Sequence, residues 1–434
     1  MDSGAGCKKI EMIDLLTRAV RTCLTGRSSE YVFRAHNTPA LQDVYKASLY
    51  IHIPFCKNLC PYCPYNKVEY DDKLVGPYIS ALLNEIDMYH TLYGSIEVPS
   101  IYIGGGTPTL LTDELEIVFE RLAERFQIAG DICIETSPDD LDAGKVDKLQ
   151  KYQVGLISIG VQSFQDRWLR LIGRRHRASI LGDVIRMLVD GDFKAINVDL
   201  MFALPGQTVD DVHFDLQTAI DSGVNQVTTY PLFTFPYSTV GQYLRLKKVS
   251  MPRLGARRRL YKYIHQYLLE NGFSRVSVWG FKKGNVPRCS SVTRDNYIGL
   301  GPGAGSHMAD GYYLNTFSVS EYTKRCLASQ FPIALHMPFN ETMQYYFWLY
   351  WRLYDTYIPK GGLCEMPPEI SKKMYTLLRL LRVPGFLIEN DSSFQLDEKG
   401  AFWVHLAQNY FSLRYINTIW SVAMKEPYPE EISF

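Results

Sequence analysis

From residue 48 onward, short apolar runs of strand length alternate with longer stretches in which apolar residues recur at helical spacing. Strands are predicted near residues 48–53, 99–103, 131–136, 155–161, 195–202 and 225–230. Between them the periodicity predicts helices over Val75–Leu92, Asp113–Phe126, Ala143–Lys151, Ile180–Asp190 and Asp210–Ser222. Alternation of this kind points to parallel β/α units, in which the loops at the strand C-termini carry the chemistry. The fold class expected is α/β, a partial (β/α)6 TIM-like barrel, because the chain after Pro236 does not supply further βα pairs at regular spacing.

The flanks read differently. Residues 1–45 form an N-terminal leader or helical extension, with an amphipathic pattern over Ile10–Cys23 and a polar stretch over Thr25–Asn37. Residues 46–328 hold the partial barrel and an extension, and residues 329–434 a C-terminal helical module. In that module, helices are predicted over Asn340–Tyr354, Pro368–Leu381 and Gly400–Trp420. Gly385–Ile388 and Ser393–Leu396 read as a hairpin around Glu389-Asn390-Asp391, which makes the module winged-helix-like.

Composition narrows the classes. The 434 residues carry 46 basic and 46 acidic side chains, so the net charge is zero and there is no electrostatic case for nucleic acid as a partner. The most apolar stretch, Tyr345–Ile358, is interrupted by Arg352 and Asp355 and is too short to span a bilayer, so no membrane is expected either. Nine cysteines, an odd number and mostly scattered, speak against a disulfide framework, and the natural setting is cytoplasmic. The 30 tyrosines suit a large flat substrate, although an aromatic core accounts for them equally well.

The chemistry centres on Cys56, Cys60 and Cys63, a C-x3-C-x2-C triplet directly after the first predicted strand. Three thiolates on one short loop can hold three irons of a 4Fe–4S cluster and leave the fourth open to an external ligand. A structural zinc site wants four ligands in paired spacing, and the next cysteine is Cys133 with no histidine pair at zinc spacing. Polar residues then recur at successive strand ends. Gly104-Gly105-Gly106-Thr107-Pro108-Thr109 follows the second strand, where glycines let the backbone approach a ligand, though a tight turn would use them too. Glu135 ends the third strand, Gln162 the fourth, and Asp199 lies near the end of the fifth; Arg174 and His176 follow Gln162. Each is costly to bury unpaired, so it either caps a loop or faces a ligand. His52 reads as a satisfied core histidine, and Cys289 as an inert buried thiol rather than a reactive one.

The motifs Tyr50-Ile51-His52-Ile53-Pro54-Phe55-Cys56, Cys60 with Cys63, Gly104–Thr109, Gly160–Phe164, Asp199 with Leu204–Thr208, and Gly299–Ser306 resemble the oxygen-independent coproporphyrinogen III oxidase-like (HemN-like) family of the radical S-adenosylmethionine (SAM) superfamily. The resemblance covers roughly residues 46–420. It implies a radical SAM fold with a 4Fe–4S cluster on Cys56, Cys60 and Cys63, which serve as both metal ligands and catalytic centre. It further implies SAM contacts from Tyr50, Gly105, Gly106, Thr107, Glu135, Gln162, Arg174 and Asp199, with Tyr62 shielding the adenine or cluster unless it merely packs the loop. A second SAM is implied as an option, walled by Gly299–Ser306.

By the same resemblance the chain is an enzyme, an oxidoreductase or methyltransferase of porphyrin biosynthesis type. A flavodoxin- or ferredoxin-like donor delivers an electron, SAM is split to a 5′-deoxyadenosyl radical, and the radical acts on a tetrapyrrole or similar aromatic substrate. Two departures bear on this. The oxidases of the family carry a fourth cysteine where this chain has Tyr65, which weakens porphyrinogen oxidation. Haem-chaperone relatives keep a His-Asn-x-x-Tyr-Trp motif where this chain has Ser290–Tyr297, without histidine or tryptophan. The alternative is therefore a haem-binding chaperone or trafficking protein on the same fold, holding haem by other residues.

Overall fold

The computed structural model describes residues 31–233, 235, 238, 251–290 and 295–433. The helix expected over Ile10–Cys23 lies outside the described residues.

Six strands lie side by side and parallel in chain order: Ser48–Ile53, Glu97–Gly105, Gln127–Thr136, Val154–Gln162, Ala195–Phe202 and Gln226–Pro231. Helices on one side of a parallel strand set and packed side chains on the other bury both faces, so strands Ser48–Ile53, Val154–Gln162 and Ala195–Phe202 are apolar almost throughout. Helices Asp72–Tyr93, Leu115–Arg125, Ala143–Lys151, Ala178–Val189 and Val209–Asp221 connect them. Each helix buries one stripe: Leu181, Val184, Ile185 and Leu188 form that of Ala178–Val189. Three of the five starts carry a side-chain cap, from Asp71, Asp142 and Thr208, the last in a reciprocal capping box with Asp211. Because the strands are parallel, their C-terminal ends open on one edge, which is the edge that carries the site. The α/β partial barrel expected from the periodicity is the one observed, with element ends shifted by a few residues.

The sheet continues beyond six strands. Tyr297–Leu300 adds parallel to the first strand, and Gly305–Met308, Gly311–Asn315, Ile333–Pro338, Val32–Ala35 and Glu431–Ser433 follow antiparallel. Strand Tyr297–Leu300 runs straight into a glycine-rich turn and has no alternating pattern of its own, which hides it in the sequence. Downstream, helices Glu341–Tyr354, Pro368–Arg382 and Glu398–Ala423 surround a small sheet of Tyr357–Pro359, Ser393–Leu396 and Leu387–Glu389, a winged-helix-like arrangement. Arg258 grips Glu398 with both terminal nitrogens, Arg288 pairs with Asp355 at 2.6 Å, and Val278 N–H donates to Tyr354 O at 2.9 Å, so this module is fastened to the barrel. Among the described residues no helix is long and apolar enough to cross a membrane.

The structure corrects one expectation about the cysteines. Cys133 and Cys289 form a disulfide across a sequence separation of 156. An odd cysteine count cannot exclude a single pair. The barrel brings the third strand against the Val286–Cys289 loop, where Tyr102, Leu156 and Ala195 bury the bridge.

Candidate active site

The first strand delivers the chain into a loop that closes on itself. Phe55–Cys56 pairs with Val68–Glu69, Cys63 N–H donates to Cys60 O at 3.3 Å, and Lys67 Nζ donates to Cys63 O at 2.7 Å. Cys56, Cys60 and Cys63 are all free thiols on this loop. Two receive donors from outside it: Thr107 Oγ1 lies 3.9 Å from Cys56 Sγ, and Arg174 Nη1 lies 3.7 Å from Cys60 Sγ. Donors aimed at sulfur suit thiolates that ligate iron. Burial pushes the Cys56 thiol up to about 12, so metal binding there must displace its proton.

Among the described residues no three His, Cys, Asp or Glu side chains gather tightly enough around one point to hold a single metal ion. Three free thiols on one short loop, two of them receiving outside donors, suit three corners of a 4Fe–4S cube. Gly106 makes the fit possible. Its N–H donates to Ile53 O at 2.7 Å, and a Cβ there would stand 2.4 Å from Phe55 O and 3.0 Å from Cys56 Sγ. Only a residue without a side chain lets the second strand's end press against the cysteine loop.

The remaining strand ends face the same space. Glu135 accepts from Tyr102 Oη at 2.7 Å and from Gly105 N–H at 3.2 Å, and burial raises its carboxyl. Asp199 accepts from Asn197 Nδ2 at 2.9 Å and Ser158 Oγ at 3.2 Å. Burial, with the Glu135 charge second, pushes Asp199 up to about 7. Two buried carboxylates, one of them raised in part by the other, call for a cationic or hydroxyl-rich ligand. Arg174 donates to Gly160 O at 2.7 Å and Ser137 Oγ at 3.0 Å, while its Nε is buried without a partner. An orphaned donor beside two carboxylates matches a ligand carrying ammonium, carboxylate and ribose groups, which SAM does.

The other expected contacts divide. Tyr50 lies alongside Tyr102, with ring centroids 6.4 Å apart, and its hydroxyl pairs with His52 Nδ1 at 2.8 Å. The other His52 nitrogen pairs with Asn66 O at 2.8 Å, and burial lowers the imidazole to about 4, so His52 is a neutral, satisfied core histidine. Gln162 has φ 71° and accepts from Tyr230 Oη at 2.5 Å, which commits its side-chain oxygen. Tyr62 packs with Trp168, Ile172, Met201, Leu204 and Leu232 behind the cysteines, and Thr107 is turned toward Cys56. His176 pairs with Val161 O at 3.2 Å and stands apart from the carboxylates' hydrogen-bond network.

Several residues of the site escaped the sequence reading. Tyr102, Asn197 and Ser158 hold the two carboxylates. Asn197 precedes Asp199 by two and Tyr102 precedes Gly104 by two, so strand alternation put each on the functional face. Asn66 donates to Pro302 O at 3.0 Å and Phe317 O at 2.9 Å, tying the cysteine loop to the Gly299–Ser306 loop. Tyr65 presents 46% of its surface, yet lies within electrostatic reach of Glu135, Cys63, Tyr354 and Asp199. Both carboxylates and Tyr354 of the C-terminal module are thus within reach of the same side chain.

The family described as the radical SAM superfamily matches residues 50–219. The haem chaperone HemW of Lactococcus lactis is 30% identical over 283 residues, 64% of this chain and 74% of that protein. The haem chaperone HemW of Bacillus subtilis is 28% identical over 292 residues, 66% of this chain and 77% of that protein. The solved structure of the radical SAM enzyme HemN, coproporphyrinogen III oxidase from Escherichia coli, superposes with a TM-score of 0.71 at 20% identity, covering 88% of this chain and 92% of that one.

Proposed function

Because this chain belongs to the radical SAM superfamily, in its HemN- and HemW-like branch, we propose that it binds a 4Fe–4S cluster on Cys56, Cys60 and Cys63 and cleaves SAM reductively in the service of tetrapyrrole chemistry. A cluster bound there supplies the electron that splits SAM into methionine and a 5′-deoxyadenosyl radical. The observation that carries this reading is the convergence of Glu135, Asp199 and the unpartnered Arg174 Nε on the strand ends beside the cysteine loop.

The chain's residues divide the work. Glu135 and Asp199 hold the ammonium and ribose hydroxyls, Arg174 takes the carboxylate, and Tyr50 and Tyr102 wall the space. Rigid placement of the cofactor's reactive carbon is the protein's share of such a reaction. Tyr65 and Tyr354 bound the substrate side, where a flat aromatic macrocycle suits the aromatic lining.

A second reading, haem delivery without turnover, is favoured by the two sequence relatives quoted above, which are named haem chaperones. Tyr65 in place of a fourth cysteine also counts against porphyrinogen oxidation. Anaerobic reconstitution with iron and sulfide, followed by dithionite and SAM, separates the two. The catalytic reading expects 5′-deoxyadenosine from the wild type and none from the Cys56→Ala, Cys60→Ala, Cys63→Ala variant. Product from that variant would refute it. The chaperone reading expects stoichiometric Soret absorbance on haem titration and no 5′-deoxyadenosine. S-adenosylhomocysteine beside 5′-deoxyadenosine would assign methyl transfer.

A further inference from the structure

The outer flank of the cysteine loop differs from the side that faces the carboxylates. Asn58 Nδ2 donates to Gly173 O at 3.1 Å, and a Cβ on Gly173 would stand 3.0 Å from the Pro61 ring, so the loop lies directly against the turn after helix Asp166–Leu171. Two large apolar side chains are exposed at this seam, Leu59 at 47% and Leu171 at 51%. Around them stand Arg170, Arg175 and Arg177, all exposed, with no ion pair or hydrogen bond from any of their guanidinium groups to the described residues. The nearby acids offset them only in part: Asp139, exposed in the same cleft as Arg175, accepts from Ser137 Oγ. Asp140 is already paired with Lys57 at 2.7 Å and Lys145 at 3.0 Å, and Asp166 accepts from Ala178 N–H at 2.8 Å.

On a chain with zero net charge, three arginines without a partner among the described residues, beside two exposed leucines, form a local positive excess on this face. An apolar centre with a charged rim is the usual composition of a transient protein interface. Its position gives it a role. Arg174, between Gly173 and Arg175, contacts Cys60 Sγ at 3.7 Å, so this face lies immediately outside one cysteine of the loop. A carrier docked here would stand next to that cysteine.

We propose that Arg170, Leu171, Arg175, Arg177 and Leu59 form the docking surface for an acidic, low-potential electron-carrier protein. This rests on the proposed cluster at Cys56, Cys60 and Cys63. In the transfer one electron leaves the carrier's reduced flavin, which goes from hydroquinone to semiquinone, and reduces the cluster by one; no covalent bond forms or breaks. Complementary charge acts mainly on the association rate and is screened by salt.

The test uses the full reconstituted chain, a photoreduced flavodoxin as probe, and the variant Arg170→Glu, Arg175→Glu, Arg177→Glu. At low ionic strength the variant should bind flavodoxin at least about tenfold more weakly by surface plasmon resonance, with a similar loss in flavodoxin-driven 5′-deoxyadenosine formation. Both differences should shrink as salt approaches about 0.5 M. Dithionite-driven product should stay within about twofold of wild type. Unchanged flavodoxin binding at low salt would overturn the proposal. So would parallel loss of the dithionite-driven reaction, because the arginines would then belong to the site or the fold. If the wild type makes no product even with dithionite, the catalytic reading fails on its own, and the binding measurement still decides the docking surface.

Discussion

At the scale of single residues, the site depends on side chains that are absent as much as on those present. Gly105 has φ 111°, and a Cβ there would fall 2.7 Å from the His52 ring; at Gly106 it would meet Phe55 O and Cys56 Sγ. A collision with backbone cannot be relieved by a rotamer change. Gly106→Ala is therefore expected to push the second strand's end off the cysteine loop and to reduce reconstituted iron from about four per chain to under one, by colorimetric assay. Gly76→Ala, where a Cβ meets nothing within 4 Å, should load iron normally. The cysteine triplet was legible because its spacing along the chain is itself the geometry. Glu135 and Asp199 were legible as polar ends of apolar strands. The Tyr230 to Gln162 pairing was not, since 68 residues separate partners that only the parallel sheet brings together.

At the scale of elements, the decisive contact joins helix Asp72–Tyr93 to the glycine turn after strand Tyr297–Leu300. Glu85, fully buried, accepts from Gly301 N–H at 2.8 Å, Asn315 Nδ2 at 2.8 Å and Tyr322 Oη at 2.6 Å. Gly301 in turn packs on His52 O, so this carboxylate clamps the turn against the first strand. Periodicity located the helix well, and a charge among Leu82, Ile86 and Tyr89 on its buried face was a visible anomaly. Its three partners lie more than 200 residues away and could not be read. Glu85→Ala should destabilise the fold by about 3 kcal/mol, because three buried donors lose their acceptor.

The same residue carries a pH signature. Burial raises its carboxyl to about 7, above the usual carboxylate range. Between about pH 4.5 and 7 the unfolded chain is ionised here while the folded one keeps its proton, so unfolding releases a proton and stability falls as pH rises. Urea titrations at pH 5 and pH 8 should show wild type losing up to about 3 kcal/mol more than Glu85→Gln over that interval. An equal loss in both would show that Glu85 is ionised in the fold at the lower pH.

At the scale of the molecule, one sheet of fourteen strands collects segments from both ends of the described chain, and sequence periodicity exposed only its parallel half. Strands Val32–Ala35 and Glu431–Ser433 pair with each other through Val32 with Ser433 and Arg34 with Glu431, a closure no local pattern encodes. The Cys133–Cys289 bridge spans the same kind of distance inside the barrel. Gln226 independently holds the Cys289 backbone at both ends, donating to its carbonyl at 2.6 Å and accepting its N–H at 3.1 Å. Breaking the bridge should thus leave the native loop in place and act mainly by releasing the unfolded chain. A tether across 156 residues restricts that chain by at most about 5 kcal/mol in the chain-entropy account. Adding dithiothreitol should lower the wild-type melting temperature toward that of a Cys133→Ser, Cys289→Ser double variant. The double variant itself should be indifferent to reductant and retain its SAM affinity. A wild type whose melting temperature ignores the reductant would mean that the bridge contributes nothing to stability.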